Sequence, residues 1–171
     1  MTSSFRLLTT GLAVAGLSVA AAIVTPAAAQ TANATLAVTA AVANACTITT
    51  TPLAFGAYDP VVTNATAPLS GTGGVVITCT KKAVTTIGLG LGANASGAIR
   101  RMVLGTDFLT YELYQEAAHT TIWGSAGTAR LTPPAAPSKD ARTFPVYGLV
   151  PGAQDVGSGT YTDSVIATVN F

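Results

Sequence analysis

The chain has 171 residues, eight Lys+Arg against seven Asp+Glu, a formal net charge of +1 and only 9% charged side chains. So even a balance gives no electrostatic case for nucleic acid or an anionic membrane, and an apolar fraction of 49% excludes disorder. The length is that of one domain able to bury a core, and a Thr/Ala/Gly/Val-rich composition poor in charge suits an exported β-protein that buries surface against copies of itself.

The chain opens on "MTSSFRLLTTGLAVAGLSVAAAIVTPAAAQ". One positive charge, Arg6, precedes an uncharged apolar run from Leu7 to Val24. Pro26 breaks that run, and Ala27, Ala28 and Ala29 form a small-residue cleavage site. This is the pattern of a secretory signal peptide, residues 1–29, rather than of a membrane anchor. Next, "ANATLAVTAAVANACTIT" alternates. Ala34, Leu36, Val38, Ala40 and Val42 fall on one face of an extended chain, with Thr35, Ala37, Thr39 and Ala41 on the other. "PLAFGAYDP" reads as a short strand, "VVTNATAPLSGTGG" as a loop punctuated by Pro and Gly, and "VVITCT" as a strand. "AVTTIGLGLG" is a strand weakened by Gly88 and Gly90. "FLTYELYQE" alternates again, "TIWG" follows it, and "RLTPPAAPSKDA" is a Pro-rich loop. "RTFPVYGLV" is a strand, and "PGAQDVGSG" a turn leading to "GTYTDSVIATVNF".

That last stretch is the best strand of all. Tyr161, Asp163, Val165, Ala167, Val169 and Phe171 share one face in strict period two. It wants a neighbour on each side, and no later segment of this sequence offers one. No 3.6-residue period occurs outside the leader, so many short strands between Gly/Pro turns predict an all-β sandwich or barrel. The expected core comprises Phe55, Tyr58, Ile77, Leu89, Leu109, Tyr111, Leu113, Trp123, Val146 and Val165.

The two cysteines, Cys46 and Cys79, are an even count in an exported chain and read as one disulfide. Closing a loop of about 34 residues stabilises by roughly 3–4 kcal/mol in the chain-entropy view. With His119 as the single histidine, zinc or another metal site is not expected, nor is any cofactor. His119 in "AAHTT" is a loop residue, and no G-x-S-x-G elbow or phosphate-binding Gly motif occurs, so no catalytic constellation or small-molecule substrate is read here. Arg100-Arg101 and Lys81-Lys82 read as solvated turns. The sequons at Asn33, Asn64 and Asn94 are chance matches in a Thr-rich chain.

"CTITTTPLAFGAYDP", "GGVVITCT", "LTYELYQE" with "TIWG", and "FPVYGLVPGAQDVGSGTYTDSVIATVNF" together resemble the spore coat protein U domain family, which includes the Csu-type fimbrial subunits of archaic chaperone–usher pili. One departure follows Cys79, where the family often has a Gly and this chain has "TKKAVTT". The resemblance implies an incomplete immunoglobulin-like β-sandwich, residues 44–171, completed by strand donation. It implies that 30–43 is a donor strand, with Ala34, Leu36, Val38, Ala40 and Val42 as its inserting face. The C-terminal strand, with Tyr161, Val165, Ala167, Val169 and Phe171, then walls the acceptor groove. Implied partners are identical or related pilus subunits, a periplasmic chaperone and an outer-membrane usher. The implied path is export through the periplasm to the cell surface, for adhesion and biofilm formation. A secreted spore or cell-surface coat protein of the same fold is the alternative. A small outer-membrane β-barrel fits less well, because its strands run to roughly ten residues between aromatic girdles and aromatics here are only 6%.

Overall fold

The computed structural model describes residues 26–171; the expected leader lies largely outside them. The chain falls into two compact units, Met1–Thr39 and Ala40–Phe171. In the first, the described residues 26–39 form no strand or helix and all are exposed. The second contains seven strands: β1 (Cys46–Ala54), β2 (Leu69–Cys79), β3 (Thr86–Leu89), β4 (Arg100–Leu104), β5 (Asp107–Tyr114), β6 (Arg142–Val150) and β7 (Ala167–Asn170).

They form two sheets. One has the order β1-β2-β6-β5-β4 and the other pairs β3 with β7, every pairing antiparallel. The inward face of the first sheet supplies Val75, Ile77, Leu109, Tyr111, Leu113, Val146 and Val150. Ile87 and Leu89 face them from the second sheet, and Trp123 fills the space between, fully buried. Its indole N–H donates to the Ile87 carbonyl (2.8 Å), which satisfies the one polar atom of the plug. Of the expected core, Ile77, Leu89, Leu109, Tyr111, Leu113, Trp123 and Val146 are buried. Phe55, Tyr58 and Val165 are partly exposed, and all three border openings described below.

The order β1-β2-β6-β5 facing β3-β7 is that of an immunoglobulin constant-type sandwich, A-B-E-D against C-F. Tyr161 adds a second hallmark. Just before β7, its hydroxyl donates back to the Gly157 carbonyl (2.9 Å), as the corner tyrosine does at the start of an immunoglobulin F strand. In that scheme a seventh strand, G, lies along the outer edge of F. Among the described residues no strand lies there, so the fold is an incomplete immunoglobulin-like sandwich. Its open edges at β1 and β7 also distinguish it from a closed barrel, which has none.

Cys46 and Cys79 face each other across the β1–β2 ladder and form a disulfide, with Cα atoms 4.1 Å apart. The Thr80 N–H donates to the Ala45 carbonyl (2.9 Å). That makes Cys46 and Cys79 the neighbouring non-hydrogen-bonded pair, the closest approach an antiparallel ladder offers.

Several sequence expectations are corrected. The Pro/Gly-punctuated stretch read as loop contributes Leu69 to Gly74 to β2, nine residues of which pair with β6. Its glycines are seats for side chains: a Cβ on Gly71 or Gly148 would lie 2.9 or 2.7 Å from the Phe55 ring, and one on Gly73 2.8 Å from Leu53. "PLAFGAYDP" is regular only to Ala54. The C-terminal strand is regular only over β7, although Thr162 bridges Val103 of β4. Arg100 is no solvated turn. It opens β4 and is 1% exposed.

Candidate functional site: an open cleft between the two edge strands

The vacant edge beside β7 lies over exposed core. The Gly90 and Ala93 N–H groups donate to the Ile166 and Ser164 carbonyls (2.9 and 3.0 Å). Even-numbered residues of this segment therefore address β3, and the main-chain groups of Val165, Ala167 and Val169 address the open side. Their side chains point inward and are half-buried, while Thr162, Ser164, Ile166, Thr168 and Asn170 are exposed.

β1 is the facing edge. Because Ala45 bonds to Thr80 of the β2 chain, odd residues of β1 address β2, and the main-chain groups of Cys46, Ile48 and Thr50 address the open side. Pro52 follows, a residue confined to edges and bulges because it cannot donate. The pairing register shifts there, between Thr51 and Ala54.

Between these edges runs a cleft of about 540 Å³. Its walls are Thr50, Thr51, Pro52, Leu53 and Phe55 on one side and Tyr161 to Val165 with Ala167 on the other. Val75, Leu89, Tyr111, Leu113 and Val146 form the floor. A second cleft, of about 790 Å³, continues from it under Leu53 to Tyr58 and 156–161, floored by Leu69, Leu109 and Val150. Leu53, Phe55, Met102 and Tyr161 border both, so a waist divides one long apolar channel.

The one charged side chain of the cleft wall, Asp163, is already engaged. Asp163 Oδ2 accepts from the Tyr111 hydroxyl (2.6 Å), and Oδ1 accepts from the Asn94 N–H (3.1 Å) and side-chain amide (3.0 Å). The aspartate thus pins the 161–166 segment to β5 and to the β3–β4 loop. A Cβ on Gly92 would collide with its carboxylate. Burial pushes the Tyr111 phenol well above its ordinary value, and the bond to Asp163 adds to the effect. Tyr161 is raised too, first by burial and then by Asp107. Behind the floor, Arg100 pairs with Glu112 and donates to the carbonyls of Leu89, Gly90 and Trp123. A buried guanidinium with all these acceptors ties β4 and β5 to the end of β3. The cleft therefore presents apolar floor and free main-chain edges, and no uncommitted charge in its walls. Among the described residues no group of three or more potential metal ligands occurs.

Of the residues singled out from the sequence, Tyr161, Val165 and Ala167 line the first cleft. Val169 packs on the core just beyond it, and Phe171 follows β7 and is 57% exposed. Leu53, Phe55 and Met102 at the waist were not recognised as site residues. Phe55 shares the strand pattern with the core, and nothing in local sequence marks a side chain that spans two openings. Ala34, Leu36, Val38, Ala40 and Val42 are all exposed, with Leu36, Val38 and Val42 at 84–85%. Leu36, Val38 and Val42 thus leave three large apolar side chains uncovered on one alternating face.

The spore coat protein U domain model matches residues 32–168. The chain belongs to the spore coat protein U domain family. Protein U of Myxococcus xanthus is 41% identical to it over 175 residues, covering 93% of this chain and 97% of that protein. Among solved structures it is similar to the chaperone–tip adhesion subunit pre-assembly complex of the archaic chaperone–usher Csu pili of Acinetobacter baumannii. There the TM-score is 0.53 at 23% identity, over 76% of this chain and 40% of that one. The spore coat U chain thus spans well under half of that longer chain. The likeness is one of fold, and it agrees with the incomplete sandwich read from the strand order.

Proposed function

We propose that this spore coat U domain is a structural subunit that polymerises by strand donation, with residues 30–43 of one copy filling the cleft between β1 and β7 of the next. One observation carries the reading: the immunoglobulin G-strand position beside β7 is open over apolar floor. The occupant must be an extended segment with free main-chain groups and an apolar alternate face, because strand addition takes affinity from the edge and register from the pockets. Residues 30–43 have that character and are uncovered. Burying Leu36, Val38 and Val42 would contribute roughly 1.5–3 kcal/mol each, before main-chain bonds.

The polymer is a surface pilus of the chaperone–usher kind, exported through the periplasm, serving adhesion and biofilm formation and performing no catalysis. A periplasmic chaperone covers the open edge before assembly and an outer-membrane usher passes the subunit on. The pilus subunit complex among the structural neighbours supports this choice. The family description and the Protein U likeness favour a second reading, in which the same strand exchange builds a spore or cell-surface coat. Neighbouring chaperone and usher genes would favour the pilus.

The test is a chain lacking residues 31–42. It should fold, form the Cys46–Cys79 disulfide, make no fibres or coat, and bind a synthetic peptide of sequence 31–42. Undiminished polymer from the truncated chain would overturn the proposal.

A further inference from the structure

If residues 30–43 of one copy fit the cleft of another, their own cleft is closer still. Val42 and Cys46 are separated by three residues, Ala43, Asn44 and Ala45, which is the length of a short hairpin loop. Closed in that way, the segment would lie antiparallel along the open side of β1. Val42 would stand opposite Cys46, Ala40 opposite Ile48, Val38 opposite Thr50 and Leu36 opposite Pro52. Residues opposite one another in an antiparallel pair share a face. Cys46 and Ile48 turn inward, so the apolar face of the segment would turn inward with them, and Leu36 and Val38 would arrive beside Thr50 and Pro52 of the cleft wall. Register and facing both permit self-closure. A short tether also confers an effective concentration in the millimolar range, about a hundredfold above a subunit at about 10 µM. A subunit that polymerises needs something to hold its own segment out.

We infer that Thr80 is that device: it holds the three linker residues in line with β1 and so directs the segment to another copy. The inference rests on the strand-donation reading. The Thr80 N–H donates to the Ala45 carbonyl (2.9 Å), and the Ala45 N–H donates to Thr80 Oγ1 (3.1 Å). Oγ1 also stands 3.3 Å from the Ala43 carbonyl and 3.4 Å from that of Ala45. One side chain thus engages Ala45 and Ala43, two of the three residues a reversal would have to turn. The disulfide next to it, between Cys46 and Cys79, prevents the clamp from sliding along the ladder. Closure on its own cleft would break the hydroxyl bonds and bend the chain at Ala45. Donation to another copy leaves them in place. Thr80 is therefore a positioning residue that selects intermolecular over intramolecular occupancy.

The test compares wild type, Thr80→Val, Thr80→Ser and Thr80→Val combined with Asn44→Gly, which gives the linker a residue suited to a turn. Each exported chain is purified, unfolded with its disulfide intact and refolded over a dilution series. Polymer is separated from monomer, and thermolysin cleavage within 31–42 is read by mass spectrometry. Val38→Asp serves as the control for strand donation itself. Wild type and Thr80→Ser should give concentration-dependent polymer and a monomer cleaved in 31–42. Thr80→Val should give at least about tenfold more monomer, in a fraction independent of concentration and protected over 31–42, and the combined variant more again. All variants should form the disulfide, and the self-closed Thr80→Val monomer should melt above the open wild-type monomer, because its cleft is filled. Polymer yields from both Thr80→Val chains equal to wild type, or a monomer still cleaved in 31–42, would overturn the clamp while leaving strand donation standing. Polymer from Val38→Asp equal to wild type would overturn strand donation itself.

Discussion

Arg100 and Tyr111 show how single residues of this domain are decided by their surroundings. An Arg-Arg pair after a Gly-rich stretch has the look of a solvated turn, but Arg101 stacks on Phe108 at 4.0 Å while Arg100 is buried against Glu112 and three carbonyls. The difference is strand parity: side chains of adjacent residues in β4 leave on opposite faces. Tyr111 lies on the cleft floor with its hydroxyl on Asp163. Burial first, and that bond second, hold its pKa above the ordinary value near 10. Below pH 10 the phenol is protonated in both folded and unfolded chains, and its contribution is complete. Above pH 10 the unfolded chain releases the proton first, so the unfolded state binds fewer protons and stability falls as pH rises towards the folded value. Urea unfolding between pH 8 and 12 should therefore show a steeper alkaline loss for wild type than for Tyr111→Phe. Parallel curves would mean that Tyr111 titrates alike in both states.

At the scale of elements, the alternation of the proposed donor segment carries a sharp expectation. Leu36, Val38 and Val42 share one face, and Thr35 and Thr39 the other. Val38→Asp would place a carboxylate with no partner against an apolar floor, a cost of several kcal/mol. Thr39→Asp lies one residue along and points to solvent. In a surface-fibre assay with the chaperone present, Val38→Asp should abolish polymer and Thr39→Asp should retain most of it. Polymer lost by Thr39→Asp but kept by Val38→Asp would move the register by one residue. The same logic explains the half-buried state of Val165, Ala167 and Val169. Their inward face is in place, yet one flank of the strand has no neighbour among the described residues.

For the whole molecule, the disulfide joins the start of the edge strand β1 to the end of β2. β1 has one neighbour in its sheet, β2. A covalent tie there keeps that edge strand attached while its other side is open. Replacing both cysteines by alanine should lower unfolding free energy by about 3–4 kcal/mol, read by urea denaturation under oxidising conditions. A loss below about 1 kcal/mol would show that the β1–β2 ladder holds without it. The core between the sheets, centred on Trp123, is buried while the cleft stands open. The domain can therefore be folded and still carry an open channel.

Much of this architecture was legible in the order of the residues. Period-two alternation marks β5 and the face shared by Tyr161, Val165, Ala167 and Val169, because a strand's side chains must alternate whatever packs against them. Trp123 read as a core plug because so large an aromatic has few other places in a sandwich. The cysteine pair was legible from number and compartment. Other features depended on partners distant in sequence. Leu69 to Gly74 became strand because Leu53 and Phe55 settle over its glycines and β6 pairs along its length, which no local propensity reports. Arg100 went inside because Glu112, Leu89, Gly90 and Trp123 converge on it from three other parts of the chain. The cleft has the same origin. Alternation can say which face of a strand is apolar, but whether that strand's edge is covered is set by which strands the fold brings beside it.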